Sequence, residues 1–366
     1  MLKPLPDYPW DQMVPYSVRA RAHPDGIVDL SIGSPVDETP RVIQEALAAA
    51  TDAHAYPQTA GTLELQGAIV AWYARRRGVS NLTEKNVLPT IGSKELVALM
   101  PFMLGLGEGD TIVHPLAAYP TYAIGAAIAG ATAVASDEPA DWPASTKLVW
   151  LNSPGNPDGR VLSVPELRAA VVRARELGAL IVSDECYAEL GWDAPWNTES
   201  IPSILDPRVI DGSLDHVIAI YSLSKQSNMA GYRAAFAAGD ADVLARLLTV
   251  RKHAGLMLPA PLQTAMIAAL GDDEHVSVQK ERYRARRDRL RPALEQAGFR
   301  IDHSEAGLYL WATEGRPAWE SIAKLADLGI LAGPGPFYGD LFTEHVRFSL
   351  TAADERIAAA ADRLLI

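Results

Sequence analysis

The sequence predicts an α/β protein built on a largely parallel sheet that is covered by helices on both sides. Two observations carry this. Six short apolar runs lie between residues 87 and 221, and helical stretches separate most of them. A parallel strand buried on both faces has no polar side to present, so it reads as a continuous apolar run. Such runs alternating with helices mark βαβ units.

The elements follow in order. The first ~30 residues read as an irregular arm, with prolines at 4, 6, 9 and 15, which must dock on something to be ordered. Helical patterns come next, at 40–52 and 62–77. Strands are predicted at 87–91, 111–114, 132–135, 147–151, 180–183 and 216–221, with helices at 94–104, 164–177 and 240–253. After a segment at 259–270 comes a long polar helix at 274–297, whose basic stretch KERYRARRDRLR reads as a solvated face. Short αβ elements follow at 307–311, 318–328, 329–332 and 346–350, and a last helix starts at 352. A chain of 366 residues exceeds one ordinary core. The expected division is an arm and part of a small domain at 1–44, a large domain at 45–275, and the rest of the small domain at 276–366.

Composition narrows the class. Apolar residues make up 48% and charged residues 21%, as in soluble globular chains. A formal charge of −12 argues against a nucleic-acid partner, whose phosphates demand cations. Cys186 is the single cysteine, so no intramolecular disulfide can form. The N-terminus lacks a basic start followed by an apolar run, and no uncharged run is long enough to span a membrane. A cytoplasmic protein without membrane partners is the expectation.

Ligands of parallel sheets bind outside the carboxyl ends of the strands. What stands just after each predicted strand is therefore informative. After 87–91 comes Gly92-Ser93-Lys94, opening a helix; after 111–114, Tyr119-Pro-Thr-Tyr122; after 147–151, Asn152-Ser-Pro-Gly-Asn156-Pro-Asp-Gly159. After 180–183 stands Asp184-Glu-Cys-Tyr187, and after 216–221 stands Ser222-Leu-Ser-Lys225. Together these are an anion cradle, an aromatic face, a carboxylate, a phenol and a lysine. Each also has a plainer reading. Lys225 alone reads as a surface lysine, Asp184 as a helix cap or ion-pair partner, Ser93 as an N-cap. Asn156-Pro-Asp-Gly159 reads as a turn, Tyr119 as a core tyrosine, and Arg347 in HVRFSL as half of a structural ion pair.

The string SLSKQSNMAGYR resembles the cofactor-lysine signature of the fold-type I, class I and II aminotransferases, and the resemblance runs from Gly33 to Arg347. It implies a mostly parallel seven-stranded sheet, a smaller α/β domain made from both chain ends, and pyridoxal 5'-phosphate as cofactor. By that resemblance Lys225 holds the cofactor covalently and, when freed, acts as the base for the substrate Cα proton. Asp184 pairs with the pyridine nitrogen, while Tyr187 and Asn156 contact the phenolic oxygen. Gly92, Ser93, Lys94, Ser222 and Arg233 hold the phosphate, and Tyr119 stacks on the ring. Tyr56, in YPQTAGTLELQ, reaches the phosphate of a neighbouring subunit, which implies a homodimer with shared sites. Arg347 grips the substrate α-carboxylate, with Gly33 offering a backbone contact. Asp158 departs from the usual Asn-Pro-Thr-Gly, and the bond before Pro157 is typically cis in the family.

The Pro-rich arm and LNSPGNPDGRVL further resemble bacterial N-succinyldiaminopimelate aminotransferases of lysine biosynthesis. An amino-acid donor with 2-oxoglutarate as acceptor and glutamate as product is then implied, by ping-pong transfer. Arg19, Arg21 and Lys252 are the candidates for a distal carboxylate. Other amino-acid aminotransferases of aspartate or aromatic type, and a C–S β-lyase on the same cofactor, are the alternatives. A ligand-sensing regulator would need an added DNA-binding segment, for which this reading leaves no residues.

Overall fold

A computed structural model of the chain describes residues 5–365. Residues 1–4 of the arm and Ile366 of the last helix lie outside the described residues. The central sheet has seven strands: β1 (Val87–Ile91), β2 (Thr111–His114), β3 (Thr132–Ala135), β4 (Thr146–Asn152), β5 (Leu180–Asp184), β6 (Val217–Ser222) and β7 (Ala234–Gly239). Their spatial order is β1-β7-β6-β5-β4-β2-β3. The five strands from β6 to β3 run parallel, whereas β7 is antiparallel to both β6 and β1.

Strand β7 has no counterpart in the sequence reading. Its residues, AAFAAG, carry almost no strand preference. It forms because two neighbours supply hydrogen bonds on either side. The small residues also suit a close approach: a Cβ on Gly239, at φ +139°, would fall 2.1 Å from the Val217 carbonyl oxygen.

Apolar side chains cover both faces. One face buries Trp72, Tyr221 and Phe236 beneath the helix Leu63–Arg77. The other buries Leu96, Tyr122 and Trp150, with Tyr122 stacked on Trp150 at 5.2 Å. A third cluster gathers Leu308, Phe348 and Ile357 around an antiparallel sheet ordered Gly333–Pro334, His345–Ser349, Tyr309–Thr313, Arg300–Asp302. The N-terminal segment joins it, since Val28–Asp29 pairs in parallel with Ile330–Leu331.

Two expectations are corrected. The arm is not irregular throughout: Pro9–Met13 is a 3-10 turn and Val14–Arg21 an α-helix. Pro15 sits in that helix's first turn, where the missing N–H has no intrahelical acceptor to lose. The helix docks through Tyr16 stacked on Trp319 and through Arg19 paired with Asp327. The long helix Glu274–Gln296 is not simply a solvated face either. Arg286 and Arg287 are buried, Arg286 bridging Asp37 and Asp354 at 2.6 Å each, and Arg287 meeting Asp193 at 2.7 Å. Its cations tie distant segments together.

Beneath the sheet edge, Glu185 is wholly buried. It accepts from Arg77 Nη2 at 3.3 Å, Ser203 Oγ at 3.0 Å and the Ile204 N–H at 2.7 Å. Removing one member of such a pair strands a charge in the core. Arg77→Met is expected to lose about 3–5 kcal/mol of stability, seen as a lower urea midpoint. The double variant Arg77→Met/Glu185→Leu should recover a large part of that loss, because no charge is left unpaired.

Candidate active site

In strands β4, β5 and β6, Asn152 stands level with Asp184 and Asp184 with Ile220, and β6 runs two residues further, to Ser222. Their carboxyl ends therefore lie side by side, one strand spacing apart (about 4.8 Å). The segments that follow carry the chemistry. Asn152 donates from Nδ2 to the Asp184 carbonyl at 2.9 Å and accepts from the Asn156 N–H at 2.8 Å. This bond shapes the loop that presents Asn156.

Asp184 is buried, and its carboxylate meets only neutral donors. Tyr122 donates to Oδ2 at 3.2 Å, and the Cys186 N–H donates to Oδ1 at 3.2 Å. Burial pushes its pKa up, although the Cys186 and Tyr122 hydrogen bonds pull the other way. A carboxylate so placed lacks a cationic partner, and a protonated pyridine nitrogen would supply one.

Lys225 sits in the short helix Leu223–Gln226 after β6, and its ammonium donates to the Gly33 carbonyl. Burial holds its pKa below the ordinary lysine value, aided by the Arg347 and Arg233 charges and opposed by Tyr309 and Cys186. The amine is thus held closer to its nucleophilic form.

The anion cradle is built at the end of β1. Gly92, at φ +79°, caps the helix Ser93–Met103. A Cβ there would lie 2.3 Å from Arg233 Nη2, so only glycine lets the guanidinium reach this helix start. Arg233 itself is in the left-handed region at φ +57° and donates to the Ala230 carbonyl at 2.9 Å. Ser222 exchanges hydrogen bonds with Ser224, its hydroxyl capping the Lys225 turn at 3.2 Å. Lys94 lies 6.0 Å from the Tyr119 ring centroid. Tyr119 is half-buried and packs edge-on against Tyr122, and burial lifts its hydroxyl to about 12.

Arg347 comes from the antiparallel sheet and is 4% exposed. It donates to Asn156 Oδ1 and to the Ser31 carbonyl, each at 2.7 Å, while its buried Nε has no partner. Its guanidinium carbon lies 3.9 Å from the Tyr309 ring centroid and 4.7 Å from that of Tyr338. No carboxylate faces it among the described residues. Among the described residues, Lys225, Arg233 and Arg347 are thus cations without ion pairs, and the buried Asp184 is a carboxylate that also has none. A ligand bearing a phosphate, a carboxylate and a ring cation matches that charge pattern, and pyridoxal phosphate with an amino acid fits it.

The structure separates the remaining sequence candidates from this cluster. Tyr56 is 95% exposed. Arg19 is taken by Asp327, and Arg21 and Lys252 are exposed on their own helices. The cis bond expected before Pro157 lies instead at Ser153–Pro154. Residues 156–158 form a single helical turn, closed by the Gly159 N–H on the Gly155 carbonyl at 3.0 Å, which calls for trans bonds. Gly33 stands with its carbonyl on Lys225, while the Ser31 carbonyl meets Arg347. Three tyrosines escaped the sequence reading. Tyr122 lies in the quoted YPTY string, yet nothing local distinguishes it from Tyr119. Tyr309 and Tyr338 sit in apolar runs that read as core.

Comparison with known proteins identifies the family. The sequence profile of aminotransferase class I and II matches residues 25–364. The chain is 55% identical to the 4-dedimethylamino-4-oxo-anhydrotetracycline transaminase OxyQ of Streptomyces rimosus, over 99% of this chain and 100% of that one. A probable aminotransferase of Mycobacterium tuberculosis is also 55% identical, over 98% of this chain and 85% of its own length. Among solved structures, the N-succinyldiaminopimelate aminotransferase of M. tuberculosis superposes with a TM-score of 0.85 at 27% identity, over 97% of this chain and 96% of that one. The fold is that of the fold-type I transferases, and the chain belongs to the class I and II aminotransferases, enzymes that depend on pyridoxal phosphate.

Proposed function

We propose that this aminotransferase moves the amino group of N-succinyl-LL-2,6-diaminopimelate to 2-oxoglutarate, in a homodimer whose subunits share their sites. The observation that carries the amino-acid part is Arg347. Rings and neutral acceptors contribute about 0.5–2 kcal/mol to a cation, less than the several kcal/mol that its burial costs. A substrate α-carboxylate makes up the difference. The donor's identity draws on likeness to the M. tuberculosis enzyme of that name, and the shared site on Tyr56, an aromatic side chain standing almost fully in solvent.

In this reading the bound cofactor supplies an aldehyde and an electron-accepting ring. Asp184 holds the ring's nitrogen protonated, and Tyr187 and Asn156 hold its phenolic oxygen. The helix start at Gly92-Ser93-Lys94, with Ser222 and Arg233, takes the phosphate, while Tyr119 covers the ring. Arg347 fixes the donor by its carboxylate, so that the Cα proton faces Lys225. Lys225 would carry that proton, its lowered basicity easing the proton's return.

A second reading has a specific support: full-length identity of 55% to OxyQ, a transaminase named for a polycyclic oxo substrate. Such an acceptor has no α-amino-acid carboxylate for Arg347 to bind. The two readings part on the acceptor.

A donor screen with 2-oxoglutarate should give the highest kcat/KM with succinylated diaminopimelate. Turnover only with a polycyclic ketone acceptor favours the second reading, and pyruvate with ammonia released without an acceptor favours β-elimination. Arg347→Gln is expected to cost ~3–5 kcal/mol of donor binding, a loss of about a hundredfold or more in apparent affinity. Lys225→Ala should abolish both turnover and the borohydride-trapped adduct. An adduct on another lysine would contradict the assignment.

The apoprotein offers an independent check. A lysine whose folded pKa lies below its unfolded value of 10.5 destabilises the fold at lower pH, where the unfolded chain binds the extra proton. Lys225→Met should therefore be more stable than wild-type apoprotein at neutral pH, by about 1 kcal/mol or more. That advantage should shrink as pH rises towards 10.5, measured by urea unfolding at several pH values.

A further inference from the structure

We propose that Tyr309 is a positioning residue of this site, its ring holding the Arg347 guanidinium and its hydroxyl orienting the Tyr187 phenol. The inference rests on the reading that Arg347 takes the donor carboxylate and that Tyr187 faces the cofactor. Strand geometry makes the first contact. In the antiparallel sheet Trp311 stands opposite Arg347, and Tyr309 opposite Ser349. Tyr309 is therefore the diagonal neighbour of Arg347 on one face, at a separation that an aromatic and a long cation can bridge. The guanidinium carbon reaches 3.9 Å from the ring centroid.

The other end of the side chain is equally constrained. The hydroxyl lies 3.3 Å from the Tyr187 hydroxyl, with the two rings edge to face. It also rests against Gly33, where an added Cβ would fall 2.2 Å from it. The carbonyl of Gly33 receives the Lys225 ammonium. One side chain thus touches the residue that would grip the substrate, the phenol that would hold the ring oxygen, and the residue on which the free lysine rests.

Packing alone does not account for the hydroxyl. Tyr309 is buried in the apolar cluster, where a phenylalanine would fill the same volume without a polar group to satisfy. The hydroxyl is held acidic instead. Burial raises its pKa, but the Arg347 and Lys225 cations and the Tyr187 hydrogen bond together bring it below the usual phenol value. The bond lowers the Tyr309 pKa and raises that of Tyr187, as a bond donated by the Tyr187 hydroxyl to the Tyr309 oxygen does, and hydrogen bonds in such chains reinforce one another.

Two variants of the holoenzyme separate the ring from the hydroxyl. Tyr309→Phe keeps the ring, so the donor KM should stay within about twofold of wild type. Losing the hydroxyl should lower kcat by about tenfold and shift the visible absorption of the bound cofactor at fixed pH. Tyr309→Leu removes the ring as well, and donor KM should rise by about tenfold. An unchanged kcat and spectrum in Tyr309→Phe would overturn the hydroxyl's role, and an unchanged KM in Tyr309→Leu that of the ring. Should the leucine variant fail to fold, the nearly isosteric phenylalanine variant still decides the first point. Arg347→Gln keeps the two failures apart. If its KM is also unchanged, the carboxylate reading fails; if its KM rises while that of Tyr309→Leu does not, only the present inference fails.

Discussion

Hydrogen bonding between β4, β5 and β6 sets the rest of the site in place. Because the three strands run parallel and neighbour one another, Asn152, Asp184 and the turn opened by Ser222 share one edge. Apart from Lys147 each strand is buried, so the polar residues at the carboxyl ends must find partners at the edge. Asn152 illustrates the consequence. Its side chain spans from the Asp184 carbonyl to the loop that carries Asn156, and so binds two strand ends into one surface.

What that surface lacks matters as much as what it holds. Two enclosed cations, Lys225 and Arg347, and one buried carboxylate, Asp184, stand there without ionic partners among the described residues, whereas Arg77 is paired with Glu185 and Arg251 with Glu95. Unpaired charge in a low-dielectric setting costs several kcal/mol and persists only when the rest of the fold offsets it. Here the offset comes from continuous apolar burial on both sheet faces. The price in stability is the physical signature of a site made for a charged ligand.

The second sheet completes the site from the opposite side. It brings Arg347 and Tyr309 against Asn156 and Tyr187, joining segments far apart along the chain. The N-terminal segment closes the same region, since Ser31 and Gly33 place their carbonyls on Arg347 and Lys225. Arg286, bridging Asp37 and Asp354, anchors the chain just beyond that segment.

Strands 87–91, 111–114 and 132–135 were legible residue for residue, the first two because burial on both faces writes an apolar run into the sequence itself, while 132–135 is a largely exposed edge strand. The place of Lys225, Asp184 and Asn156 was legible too, since the segments that follow such runs lie at the sheet's carboxyl edge. Only the tertiary structure decided the rest. The strand Ala234–Gly239 exists because its neighbours offer hydrogen bonds, and Arg19 is claimed by a carboxylate 308 residues away. Whether Arg347 has an ionic partner, and that Tyr309 touches both it and Tyr187, depends on contacts between remote segments. Local patterning reports which face of an element is buried, but it carries no record of what that face will meet.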